Sequence, residues 1–118
     1  MRNDQLRDLI IRALDDLKAQ NITVLDLPPD AAFTDFMIIA TGTSDRHVKA
    51  LADSVVTKAK AAGVMPLGVE GERGADWILV DLADVVVHLM QARTRDFYQL
   101  ERLWGFEAPS APRAALSG

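Results

Sequence analysis

The chain has no cysteine. That excludes disulfides and thiolate metal sites, and it fits a reducing compartment. Basic charge is also in short supply. Against 17 acidic residues stand 13 basic ones, a formal net charge of −4. A surface of that balance argues against broad, unspecific binding to nucleic acid and suits a basic partner. No run of about 18 apolar residues exists, so no segment reads as a membrane span. The stretch from Met1 to Arg7 is polar and charged, with neither an apolar signal-peptide core nor an Arg/Ser-rich transit pattern. The expectation is a cytoplasmic protein. There is no internal repeat.

What is present is apolar and ordered. Apolar residues make up 49% of the 118 positions, enough to build one core and too few residues for two. A domain of this size buries about two-thirds of its unfolded surface and needs no covalent staples. Leu6, Leu9, Ile10, Ala13, Leu14 and Leu17 recur at helical spacing, with Asn3 or Asp4 as cap and Asn21 as a left-handed residue after the end. Ile22 to Leu27 reads as a short strand stopped by Pro28-Pro29. Phe36 to Thr41 is nearly all apolar, as a central strand covered on both faces should be. Ser44 caps a second helix whose buried stripe is Val48, Leu51, Ala52, Val55, Ala59 and Ala62, and Gly63 stops it.

Three strands follow at Leu67–Glu70, Trp77–Leu82 and Val85–Met90, the last two joined tightly through Ala83-Asp84. A final helix is expected from about Arg95 to Trp104. The Ala/Pro/Ser/Gly composition of Glu107–Gly118 reads as a disordered tail, leaving residues 1–106 as the single domain. The order α-β-β-α-β-β-β-α predicts an α/β (α+β) fold with a mixed five-stranded sheet and helices mainly on one face.

Strand alternation divides that sheet. Ile78, Val80 and Leu82 share one face with Val85, Val87 and Leu89, and this aliphatic set belongs under the helices. Trp77, Leu79 and Asp81 share the other with Val86, His88 and Met90. That face remains apolar with less to cover it, as at a protein interface, unless a loop or the last helix makes it ordinary core.

The residues then become diagnostic. The block Asp35-Phe36-Met37-Ile38-Ile39-Ala40-Thr41-Gly42-Thr43-Ser44-Asp45-Arg46-His47-Val48 resembles the first signature of the Iojap-related ribosomal silencing factors. Leu67-Gly68-Val69-Glu70-Gly71, Asp76-Trp77-Ile78-Leu79-Val80-Asp81-Leu82 and Asp84-Val85-Val86-Val87-His88 resemble the second. Arg95, Tyr98, Leu100-Glu101 and Leu103-Trp104 resemble the third. The resemblance covers Gln5 to Trp104 and leaves the tail after Phe106 outside it. It implies a nucleotidyltransferase-like core without transferase activity or cofactor. It also implies binding to the large ribosomal subunit through ribosomal protein L-fourteen, blocking subunit joining when nutrients are scarce. A homodimer is a further implied state, with the ribosomal protein as competitor for that contact.

Candidate residues carry two readings each. Trp77 is either a core tryptophan or an interface anchor, and the resemblance favours the anchor. Leu79 and Met90 are its proposed neighbours, or else ordinary core. Asp76, Asp81, Asp84 and Glu70 either steer the domain towards a basic partner or simply face water and form turns. Tyr98 is a candidate for the partner or dimer surface, and Arg95 for a bridge to Glu101 or a sheet acid. His47 and His88 are the only histidines, and a pairing of histidine with Asp81 or Asp84 would suit acid–base chemistry. Yet no nucleophile accompanies them, and two histidines with scattered acids lack a metal-ligand spacing. Gly42-Thr43-Ser44 sits where a phosphate loop would, but the Lys-Ser/Thr pair of such loops is missing, so a structural strand-to-helix turn is favoured.

Overall fold

The computed structural model describes residues 2–27, 34–71, 73–74 and 76–98. Eight elements appear in the expected order: α1 (Asn3–Asp16), β1 (Gln20–Asp26), β2 (Phe36–Gly42), α2 (Asp45–Ala61), β3 (Gly68–Glu70), β4 (Trp77–Asp81), β5 (Val85–Gln91) and α3 (Ala92–Tyr98). The expected end of the last helix, including Leu100 and Trp104, and the tail 107–118 lie outside the described residues.

The five strands form one sheet in the order β1-β2-β5-β4-β3. β2 and β5 are parallel at its centre, and every other pairing is antiparallel. The parallel pair needs a long crossover, which α2 begins. On the helix side, Ile38, Ala40, Ile78, Val80, Val85, Val87 and Leu89 are buried with Leu6, Ile10 and Leu14 of α1 and Val48, Leu51 and Val55 of α2. The aliphatic set picked out by strand alternation therefore lies under the helices, where non-directional apolar burial is largest.

The local signals held with two adjustments. The residue that caps α1 is Arg2, not Asn3 or Asp4. Its carbonyl accepts from the Leu6 N–H (3.0 Å) and its N–H donates to the Gln5 side chain (2.9 Å). Asn3 instead donates its side-chain amide to Asp35. At the other end the left-handed residue is Lys18 (φ 61°), with Lys18 N–H to the Asp15 carbonyl and Ala19 N–H to the Leu14 carbonyl. That is the Schellman arrangement, in which the two bonds satisfy carbonyls the helix end would orphan. Asn21 is also left-handed (φ 49°), but inside β1, where the pairing register slips between Gln20 and Thr23. For α2, Ser44 caps as expected, its hydroxyl accepting from the His47 N–H (3.1 Å), and Gly63 (φ 86°) closes a second Schellman end.

Arg95 ties α3 down. Its guanidinium donates to the Asn21 carbonyl (2.6 Å), Thr41 Oγ1 (3.1 Å) and Thr23 Oγ1 (2.7 Å). The bridge is thus to the β1 bulge and to two hydroxyls; Glu101 lies outside the described residues. This pins α3 across β1 and β2 at one end of the sheet, on the side away from α1 and α2. The opposite end, toward β4 and β3, keeps the surface that defines the site.

Candidate functional site

The register places three cross-strand rows on the face away from α1 and α2. One runs Thr41, Met90, Trp77; the next Thr23, Ile39, His88, Leu79, Glu70; the third Leu25, Met37, Val86, Asp81, Gly68. Side chains in a row are neighbours, because pleat and pairing leave them on the same side. The rows sink at the centre of the sheet and surface at its β4 edge. Met37, Ile39 and Met90 are 0% exposed and form a small second core with Leu27, against which Leu25 and Trp77 pack. Trp77, Leu79, Asp81 and Val86 are half-buried, and Glu70 is exposed.

The face is therefore neither wholly open nor sealed. Met90 is corrected from a candidate contact to a support: no surface of it is available, and it lies beside Trp77 as its cross-strand partner, in the cluster against which Trp77 packs. Trp77, Leu79, Asp81 and Glu70 are brought together along the β4–β3 edge. Asp76 is exposed just before β4, with its carbonyl accepting from the Gln91 N–H (3.2 Å). Tyr98 is the last residue of α3, and its side chain lies outside the described residues.

Beside Trp77 the sheet surface dips into a groove of about 420 Å³. Met37, Leu79, Val86 and Leu67 give it apolar walls, His88 lies within it, and Asp81 and Asp84 stand at one end. Among the described residues no lysine or arginine lines it. Leu67 is 72% exposed, although its N–H is held by the Asp81 carbonyl (2.8 Å). The sequence pattern placed Leu67 at the start of a strand and not in the site, and Met37 was likewise overlooked; Val86 was placed on this face but not among the candidate contacts. Alternation within Phe36–Thr41 would have shown Met37 on the Trp77 side. The exposure of Leu67 had no signal, since it depends on β3 starting one residue later and lying at the sheet edge.

The acidic side chains divide between structure and charge. Asp81 accepts from the Ala83 N–H (2.9 Å), which stabilises the β4–β5 turn where Ala83 itself is left-handed (φ 71°). Its second oxygen and the exposed Asp84 and Glu70 supply negative potential along the groove and edge. Such charges chiefly steer association.

Neither histidine meets an acid. His47 Nδ1 accepts from the Thr43 N–H (2.9 Å) and Nε2 donates to the Leu17 carbonyl (2.7 Å), so the ring fastens the start of α2 to the end of α1. His88 is 2% exposed, and its Nδ1 accepts from the Trp77 indole Nε1–H (2.9 Å). The neutral ring must then carry its proton on Nε2, which has no hydrogen-bond partner among the described residues. Burial pushes the His88 pKa down to about 4.

The Gly42-Thr43-Ser44 turn behaves as structure too. Three of its amide and hydroxyl groups already serve His47, and a Cβ on Gly42 would stand 2.7 Å from Val48 Cγ2. Glycine is needed there for close packing of strand on helix. Among the described residues no group of three or more His, Asp or Glu side chains is placed to hold a metal ion. No helix among them is long and apolar enough to cross a membrane.

Fold and site together define an α+β domain whose distinctive surface is a half-open, acid-edged apolar sheet face centred on a tryptophan. The chain belongs to the family described as ribosomal silencing factor during starvation, whose model matches residues 2–117. The match therefore extends into the 107–118 segment, which the motif resemblance had left out. A ribosomal silencing factor of Chromobacterium violaceum is 46% identical over 110 residues, covering 93% of this chain and 90% of that one. A crystal structure of a Chromobacterium violaceum protein superposes with a TM-score of 0.87 at 46% identity, over 93% of this chain and 92% of the other. The mouse protein named mitochondrial assembly of ribosomal large subunit protein 1 is 35% identical over 100 residues, 82% of this chain and 44% of that protein.

Proposed function

We propose that this protein is a non-catalytic translational repressor that binds the large ribosomal subunit and physically blocks subunit joining under nutrient limitation. Its docking surface is the β4–β3 edge, with Trp77 as anchor, Leu79 beside it, and Asp81, Glu70 and Asp76 as charged surroundings. The partner on the subunit is ribosomal protein L-fourteen, and the role is cytoplasmic. Tyr98 is proposed as a contact at the edge of the same surface or of a homodimer.

The observation that carries this reading is the half-buried Trp77 on an apolar face with the carboxylates of Asp81, Asp84 and Glu70 around it. Large aromatic side chains in such settings dominate binding energy, while the charges speed encounter with a basic surface. A steric blocker needs affinity and position and no chemistry. An interface of about 800 Å² per partner suffices for that.

The test is co-sedimentation with purified large subunits, followed by addition of small subunits. The wild-type chain should bind and reduce joining. Trp77→Ala should fold normally and bind at least 30-fold more weakly, equivalent to about 2 kcal/mol. Unchanged binding by that variant would refute the anchor. A second reading, a factor in large-subunit assembly, is favoured by the printed name of the mouse relative. Association with immature particles only, with no effect on joining, would select it.

A further inference from the structure

The Trp77–His88 pair has a feature that packing alone does not require. His88 sits between Ile39 and Leu79 in its cross-strand row, so an aliphatic side chain would suit its surroundings. Instead it brings two ring nitrogens into a buried site, where the side chain is 2% exposed. One nitrogen is used, by the indole N–H at 2.9 Å. The other is buried without a partner among the described residues. An unsatisfied buried donor costs more than a single neutral hydrogen bond returns. For stability alone, His88 is a poor choice.

We propose that His88 is a positioning residue for the Trp77 anchor: its Nδ1 holds the indole N–H edge inward and fixes which edge of the ring faces the partner. The inference rests on the docking reading given above. The ring centroids lie 5.8 Å apart at an interplanar angle of 47°, so the two rings are not stacked, and the directional link is the hydrogen bond. Met90, the cross-strand neighbour of Trp77, supplies packing but no direction. An anchor already held in its bound orientation loses less rotamer entropy on binding. At neutral pH the depressed basicity of His88 keeps the Nδ1 lone pair free for this bond.

A structural and a positioning role predict opposite patterns. The wild-type chain is compared with His88→Leu, His88→Asn and Trp77→Ala by thermal melting and by co-sedimentation with purified large subunits. His88→Leu should melt at the same temperature or higher, because it removes the orphan donor, yet bind about tenfold more weakly. His88→Asn places an amide oxygen close to where Nδ1 lies and should recover binding to within about threefold. The Trp77 indole N–H resonance, assigned by its loss in Trp77→Phe, should exchange slowly with water in the free wild-type chain and quickly in His88→Leu.

Wild-type binding by His88→Leu alongside weak binding by Trp77→Ala would overturn the positioning role and leave the anchor standing. Loss of binding only in proportion to unfolding would overturn it as well. Unchanged binding by Trp77→Ala would remove the docking reading and this inference with it. A solvent-fast indole proton in the wild-type chain would refute the inference even if no variant folded.

Discussion

Acidification provides a direct probe of the buried histidine. In the unfolded chain His88 titrates near the ordinary value of about 6.5, and in the fold burial lowers it to about 4. Between those values the unfolded state takes up a proton that the folded state refuses. The favourable term is therefore complete above pH 6.5 and is lost as pH falls towards 4. Each pH unit in that window costs about 1.4 kcal/mol, so the full descent removes roughly 3 kcal/mol. That is a large share of the stability of a small domain. The measurement is urea unfolding by circular dichroism at several pH values from 7 to 4, on the wild-type chain and on His88→Leu. Carboxylates common to both proteins cancel in the difference. The wild type should lose about 3 kcal/mol relative to the variant across the window, with most of the change below pH 6. Parallel stability curves would show that His88 is not buried as a neutral base, and the hydrogen bond to the indole would lose its basis.

The other structural predictions are independent of that one. Arg95→Ala removes donors to the Asn21 carbonyl and the Thr23 and Thr41 hydroxyls and should cost about 2 kcal/mol, with faster hydrogen exchange in α3. Unchanged exchange there would mean that α3 is held by something other than this clasp. Gly42→Ala forces a methyl against Val48 and should lower stability by about 1–3 kcal/mol, read from the urea midpoint. A neutral result would reject close packing as the reason for glycine. Leu67→Ala, at a side chain 72% exposed, should change stability by less than about 0.5 kcal/mol while weakening binding to large subunits several-fold. Full binding would place the outer wall of the groove outside the interface.

Much of the molecule was legible in one dimension because its signals are local. Helical spacing marked α1 and α2, Ser44 and Gly63 marked the ends of α2, and a two-residue period sorted β4 and β5 into a helix side and a Trp77 side. These patterns depend on backbone geometry, which repeats every 3.6 residues or every two whatever the neighbours are. The errors at Asn3, Asp4 and Asn21 came from the same source: good capping residues were present, but Arg2 and Lys18 occupied the positions where the helix began and ended.

Depth on the sheet could not be read that way. Met90 and Leu79 look equivalent in an alternating strand, yet one is sealed and the other half-exposed. The difference arises because β5 lies between β2 and β4, two longer strands, while β4 has β5 on one side and only the three-residue edge strand β3 on the other. The partnership of Trp77 with His88, eleven residues apart and on adjacent strands, likewise needed the register. By itself the sequence determined the elements, their order, the two faces and the resemblance to a family, all set by short-range periodicity and motif. Only the tertiary structure decided which apolar side chains reach water and which polar ones do not, because burial belongs to the arrangement of strands from distant parts of the chain.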